Sequence, residues 1–269
     1  LADLELRDRL ASAAHDRLLA GDAGEFVGPG VDDLGVSGRL AEAHVAVFGL
    51  GAVGSAALEA LARSGIGHLR LVDFDRIKAS NLNRQILALA STLGQPKAVV
   101  ARERVALINP EAQVEAIEEF FCSACADRLL APPLDFVIDA IDSLTPKANL
   151  IREAVQRGIP IVSAMGAANR VDATALHCSD LFESEGCTLA RKVRKRLRRM
   201  GVTGGVTAVW SSEIPPVETR CASGPPDPDE ADVPQRGRPR PPLPSLMPIP
   251  AMFGMMAANH VIWSLVRPC

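Results

Sequence analysis

Four short apolar runs, at 45–48, 69–72, 136–140 and 159–164, recur through the first two thirds of the chain. They show no polar alternation, so they suit strands covered on both faces. Between them, helical spacing of apolar positions predicts helices over 54–64, 96–108 and 145–157. Strands and helices that alternate in this way require right-handed crossovers and a parallel sheet. The expected fold is therefore α/β, a Rossmann-type, mostly parallel sheet flanked by helices. Two further extended segments, 173–178 and 206–212, straddle a basic helical pattern at 187–200 and predict an antiparallel C-terminal extension; a last apolar pattern predicts a closing helix over 251–266. The organisation read from this pattern is a helical lead-in (1–40), a Rossmann-like domain (41–170) and the extension (171–269).

Composition narrows the picture without redirecting it. A chain of 269 residues fits one large domain, and 48% apolar residues with a net charge of −3 describe an ordinary globular protein and not one committed overall to nucleic acid. Twelve of the twenty prolines fall in 215–250, which predicts a crossover loop with a disordered middle. The six cysteines are scattered and no secretory leader precedes them, so a reducing, cytoplasmic setting is expected. The apolar stretch 246–266 contains Pro248, Pro250, Asn259 and His260, which favours a buried core helix over membrane association.

Candidate chemistry begins at Gly49-Leu50-Gly51-Ala52-Val53-Gly54, which follows the first strand and opens a helix. In that context the first glycine permits the turn, the second lets a phosphate approach the backbone, and the third lets the helix pack on the strand. Free N–H groups at the helix start then face the anion. Asp73 ends the second strand nineteen residues beyond Gly54 and is placed to bind ribose hydroxyls. This much is compatible with an NAD(P)-dependent oxidoreductase. A polar loop carrying Asn81, Arg84 and Gln85, followed by Gly94-Gln95-Pro96-Lys97 at a second helix start, adds two cations at the same end of the sheet. Arg84 and Lys97 can stabilise a departing pyrophosphate, which favours ATP-dependent adenylation. Asp142, just past the 136–140 run in Ile138-Asp139-Ala140-Ile141-Asp142, is the candidate Mg²⁺ ligand; its alternative role is a helix N-cap, one that Ser143 or Thr145 could fill equally.

These segments together resemble the superfamily of ubiquitin-activating, molybdopterin-activating and thiamine-carrier-activating enzymes, over about 40–170. The resemblance implies an adenylation domain in which Gly49, Gly51, Ala52 and Gly54 line ATP, Asp73 holds its ribose, Asn81, Arg84 and Lys97 contact phosphates, and Asp142 handles magnesium. It further implies a homodimer in which an N-terminal arginine, here matched by Arg17, reaches the partner subunit's site.

Carrier-activating members commonly close a structural zinc with two Cys-x-x-Cys pairs, whereas this chain has one pair, Cys122 and Cys125, so no structural zinc is expected. The segment 187–200 concentrates seven cations around the apolar stripe Leu189, Val193, Leu197 and Met200, a localised charge that suits a phosphate backbone. Arg191, Arg194, Lys195 and Arg198 are the candidate nucleic-acid contacts, with a solvated helix face as the alternative. With the following Val206-Thr207-Ala208-Val209-Trp210-Ser211-Ser212-Glu213, this region resembles the tRNA threonylcarbamoyladenosine dehydratases. That subgroup implies ATP-dependent cyclisation of N6-threonylcarbamoyladenosine at tRNA position 37. The alternatives are adenylation of a sulfur-carrier or ubiquitin-like protein, with such a carrier or a sulfur-transfer protein as partner, an NAD(P)-dependent oxidoreductase, and a non-catalytic nucleotide-binding scaffold.

Overall fold

The computed structural model describes residues 36–214 and 245–266. Arg17, most of the helical lead-in and 215–244 of the proline-rich segment lie outside the described residues. Helix α1 (Val36–Glu42) leads into β1 (His44–Phe48), α2 (Ala52–Arg63) and β2 (His68–Val72). Then follow α3 (Lys97–Ile108), β3 (Gln113–Ile117), the single turn α4 (Ala126–Leu129), β4 (Phe136–Asp139), α5 (Leu144–Gln156) and β5 (Ile161–Ala164). The chain continues with β6 (Leu176–Asp180), α6 (Thr188–Arg199), β7 (Thr207–Ser211) and α7 (Pro248–Val266).

The strands form one sheet in the order β3-β2-β1-β4-β5-β7-β6, all parallel except the β6–β7 pair. The sheet is continuous across residue 170, because β7 pairs in parallel with β5 through Val162 and Thr207. Successive strand residues point to opposite faces. Val45 and Val47 join the core beneath α2, α3 and α7, while Ala46 and Phe48 join the core beneath α4, α5 and α6. This double coverage explains why β1, β4 and β5 read as uninterrupted apolar runs.

β3 escaped the sequence reading for the opposite physical reason. It is an edge strand whose side chains are partly exposed throughout, so Gln113 and Glu115 interrupt any apolar run. The expected extended segment at 173–178 is also corrected: 173–175 is a 3₁₀ turn, with Asp172 accepting the Thr174 N–H, and the strand starts at Leu176.

Helix α7 has the length and hydropathy, 1.4 on average over its most apolar window, to cross a membrane. In this fold it is a packing helix: Phe253, Ala257, Ala258 and Val261 are buried in the core it shares with α2 and the sheet. A Cβ at Gly254 would lie 2.3 Å from the Val53 carbonyl oxygen, so the glycine is what lets α7 cross α2 so closely. Pro248 and Pro250 sit in its first turn, where their missing N–H groups cost no helical hydrogen bond.

Candidate active site

The strand order reverses between β1, which continues through β2 to β3, and β4, which lies on the other side of β1. Loops leaving the carboxyl ends of two such strands diverge to opposite faces and open a crevice, the usual ligand position in this class of sheet. Gly49 to Gly54 leave β1 at this point and Asp139 to Asp142 leave β4.

The glycine turn is fixed by contact. Gly49 has φ +88°, and a Cβ there would lie 2.8 Å from the Ala140 carbonyl oxygen; a Cβ at Gly54 would collide with the Gly49 carbonyl oxygen at 1.8 Å. Gly51 differs: its nearest neighbour in that direction is Gln85 Nε2 at 3.9 Å. The missing side chain of Gly51 therefore leaves room for a ligand, whereas those of Gly49 and Gly54 permit packing. Gly51 is the N-cap of α2 and gives no side-chain cap, so the first-turn N–H groups of Ala52 and Val53 stay available to an anion. Gln85 Oε1 is buried with no hydrogen-bond partner beside this turn. An orphaned acceptor and uncapped donors around a glycine gap fit a polar ligand such as a nucleotide.

Asp73 is buried at the end of β2; its Oδ2 accepts the Leu50 N–H (2.5 Å) and its Oδ1 accepts the Asp75 N–H (2.8 Å). It thus braces the glycine turn from below. Burial pushes its carboxyl above the ordinary value, with Asp75 adding to the rise and Lys97 and the two N–H donors opposing it. Lys97, the first residue of α3, is buried with Nζ 2.8 Å from Asp75 Oδ2, and its backbone N–H donates to the Asp75 carbonyl. A cation at a helix N-terminus is disfavoured by the dipole and here also by burial. The carboxylates of Asp73, Asp75 and Asp142 outweigh that burial and hold its pKa above the ordinary value. Asp73, Lys97 and Asp142, named separately from sequence, thus share one field. Asp75 was missed as a site residue, and its signal was the second acid of Asp73-Phe74-Asp75.

Arg84 donates to the Ser80 carbonyl (2.6 Å) and Asn83 Oδ1 (2.9 Å), and no carboxylate pairs with it among the described residues. Burial alone pulls its pKa below the ordinary value. Asn81 is buried, and its side chain accepts the Lys78 N–H (3.0 Å), which shapes the loop that carries Arg84. The same loop is tied to α2 by the Ile86 N–H on Ser55 Oγ, and to the approach of α7 by Asn83 Nδ2 on the Ser245 carbonyl.

Asp142 is exposed at the crevice, and Ser143, not Asp142, is the N-cap of α5. Behind it lies a network the sequence did not reveal. Lys147 Nζ, fully buried, donates to Asp139 Oδ2 (2.7 Å), Ser163 Oγ (3.2 Å) and the Ala164 carbonyl (2.9 Å). Asp139 Oδ1 accepts the Ile141 N–H (3.0 Å), so this buried pair sets the path of the loop that presents Asp142. Lys147 lies at helical spacing from buried Leu150, Ile151 and Ala154, so its position faces the core and only its charge conceals it in the sequence.

On the other face of the sheet, Arg191, Lys195 and Arg198 are exposed on α6, and no carboxylate pairs with them among the described residues. Arg198 lies over the Phe182 ring at 5.3 Å. Arg194 stands apart from these three. Its Nη1 donates to Ser184 Oγ and the Ser184 carbonyl (2.5 Å), turned inward against the 181–184 turn.

The pattern that defines the ThiF family matches residues 29–268 of this sequence. The chain belongs to the ThiF family. Among its ThiF-family relatives, the tRNA threonylcarbamoyladenosine dehydratase of Bacillus subtilis is 39% identical over 228 residues, 85% of this chain and 89% of the relative. The protein of the same name from Escherichia coli is 41% identical over 181 residues, 65% of this chain and 68% of the relative. The solved structure of E. coli tRNA N6-threonylcarbamoyladenosine dehydratase in complex with ATP superposes with a TM-score of 0.76 at 33% identity, covering 93% of this chain and 94% of that one. The chain is thus similar over most of its length to ATP-binding, tRNA-modifying enzymes of this fold.

Proposed function

We propose that this protein uses ATP to cyclise N6-threonylcarbamoyladenosine in tRNA by way of an acyl-adenylate. The observation that carries the reading is the extent of the similarity: 228 aligned residues cannot fit within the ATP-binding half at 41–170. The likeness to a dehydratase therefore includes part of the extension that holds α6 and β7.

In this reading Gly51, Ala52 and the α2 N-terminus receive phosphate, Gly49 and Gly54 hold the turn, and Asp73 lies under the ribose. Asn81 shapes the loop from which Arg84 reaches the phosphates. Lys97 exchanges its contact with Asp75 for a phosphate oxygen. Arg84 and Lys97 then stabilise the charge that develops on pyrophosphate as the threonyl carboxylate attacks the α-phosphate. A nitrogen of the same modified side chain attacks the activated carbonyl, closes a ring and expels AMP; the net change is loss of water from the nucleoside. The nucleophile is already tethered to the acid it attacks, which gives a large effective concentration, so the protein must chiefly position and neutralise.

Asp142 offers a hard oxygen ligand at the crevice. Mg²⁺ binds through one or two carboxylates together with substrate phosphates and keeps several waters, so this donor set fits it. Such an ion would neutralise phosphate charge. Arg191, Lys195 and Arg198 supply the tRNA-facing cations, and we place the reaction in the cytoplasm with its tRNA. The reading includes a homodimer with Arg17 entering the partner's site; exposed Leu82, Leu246 and Met247 around the Asn83–Ser245 contact support a further protein surface there.

The test is mass spectrometry of nucleosides from threonylcarbamoyl-modified tRNA incubated with protein, ATP and Mg²⁺. The expected result is ATP-dependent loss of one water from the modified adenosine, abolished by Lys97→Ala. An unchanged nucleoside from protein that binds ATP overturns the reading and favours activation of a carrier protein.

A further inference from the structure

We propose that Cys122 and Cys125 form a dithiol site that exchanges with small-molecule disulfides, and that its closure to an intramolecular disulfide weakens ATP binding. The two Sγ atoms lie 2.6 Å apart. The two side chains therefore point at each other within reach of a disulfide bond, which measures about 2.05 Å. The turn between the cysteines is preorganised, with the Cys125 N–H donating to the Cys122 carbonyl at 3.0 Å. Both residues are partly exposed, which gives a small disulfide access, whereas Cys187 is buried. A metal role is less suited to the pair, since zinc takes four ligands and no group of three or more His, Cys, Asp or Glu gathers among the described residues.

The exchange balances with the oxidant as its co-reactant. The Cys122 thiolate attacks one sulfur of the small disulfide, forms a mixed disulfide and expels one thiolate, which takes up a proton. Cys125 gives its proton to solvent and attacks the Cys122 sulfur, which releases the second small thiol. One disulfide is reduced to two thiols as the two cysteines are oxidised. The contact with Cys122, and then burial, push the Cys125 thiol up, and attack by either cysteine first leads to the same closed disulfide.

The aromatic residues before the pair link it to the nucleotide loops. Phe121 packs edge-on against Phe48 at 5.4 Å between ring centroids, and Phe48 directly precedes Gly49. Phe120 packs edge-on against Phe74 at 5.1 Å, and Phe74 directly follows Asp73. Drawing Cys122 toward Cys125 shifts the backbone next to Phe121, and these contacts pass that shift to both loops. Disulfide formation stands by itself; its effect on ATP rests on the nucleotide site proposed above.

The experiment equilibrates the full chain with mixtures of glutathione and its disulfide, quenches with acid, alkylates and maps the cysteines by mass spectrometry. ATP affinity is measured on the reduced and oxidised forms. The expected result is that Cys122 and Cys125 lose their alkylatable thiols together, that the oxidised protein binds ATP several-fold more weakly, and that the double variant Cys122→Ser, Cys125→Ser binds ATP like the reduced protein at every ratio. The proposal is overturned if the pair stays alkylatable where exposed Cys178 is already glutathionylated, if oxidation stops at a stable mixed disulfide, or if closure leaves ATP affinity unchanged. Failure of the reduced wild-type chain to bind ATP would strike the adenylation reading and, with it, the coupling; the mass map still scores the disulfide.

Discussion

Lys147 and Asp139 form an ion pair of 2.7 Å in which neither side chain is exposed to solvent. Two charges withdrawn from water are costly, and their attraction offsets that cost only when the remaining hydrogen-bonding capacity is satisfied. Here it is: Lys147 has three acceptors, and Asp139 Oδ2 also accepts Ser163 Oγ. Removing one partner strands the other. Lys147→Met is expected to destabilise the fold by about 3–5 kcal/mol, with Lys147→Met, Asp139→Ala losing less than the sum of the two single changes. Urea denaturation of the four proteins measures this. Additive losses would show that the two charges are not coupled.

The three glycines of the β1–α2 turn are expected to separate packing from ligand access. A methyl at Gly54 meets a carbonyl oxygen at 1.8 Å, so Gly54→Ala should fold poorly or not at all. A methyl at Gly51 meets nothing nearer than 3.9 Å, so Gly51→Ala should keep its thermal stability and lose ATP affinity. Calorimetric titration with ATP beside a melting curve distinguishes the two. Equal ATP affinity in Gly51→Ala and wild type would remove Gly51 from the phosphate site.

Much of this site was legible because its residues sit at strand ends and helix starts, where spacing along the chain fixes position in space. Gly49, Asp73, Lys97 and Asp142 converge for that reason. Asp75, Lys147 and Gln85 were not legible as site residues, since their roles come from the fold: Asp75 meets Lys97, Lys147 is buried on Asp139, and Gln85 Oε1 is buried without a partner. Arg194 shows the same limit from the other side: it looks like its exposed neighbours until the turn at Ser184 is seen to hold it. β3 was hidden because an edge strand need not be apolar.

His44 and His68 occupy paired positions on β1 and β2, and their rings stack at 3.9 Å, tilted by 10°. Burial, then His68 and Arg70, lowers the His44 pKa below its ordinary 6.5, against an opposing pull from Asp135. The unfolded chain therefore binds this proton more readily than the folded one. Stability from His44 is fully present above 6.5 and declines as pH falls toward and through the lowered folded value. Denaturation midpoints measured across this range should fall on acidification, and His44→Gln should flatten part of that fall. A slope unchanged in the variant would assign the acid sensitivity elsewhere.

The cations of α6 are expected to fall into two groups. Arg191, Lys195 and Arg198, the last over the Phe182 ring, are exposed without carboxylate partners among the described residues, the condition in which a cation is available to a phosphate. Replacing each by Gln should weaken tRNA binding and lower the dependence of log affinity on log salt by about 1 for each phosphate no longer neutralised, with little change in folding stability. Arg194 spends its guanidinium on Ser184 and the Leu181 carbonyl, and burial, then Arg198, lowers its pKa. Its removal takes the donor from the Ser184 carbonyl, while the Leu181 carbonyl keeps the Ser184 N–H and Oγ, so Arg194→Gln should cost about 1–3 kcal/mol of stability and leave the salt slope of tRNA binding near the wild-type value. Filter binding over a salt series, run beside denaturation of the same variants, separates these outcomes. A salt slope that is unchanged in the triple variant would make α6 a solvated face and move the tRNA contact to another surface.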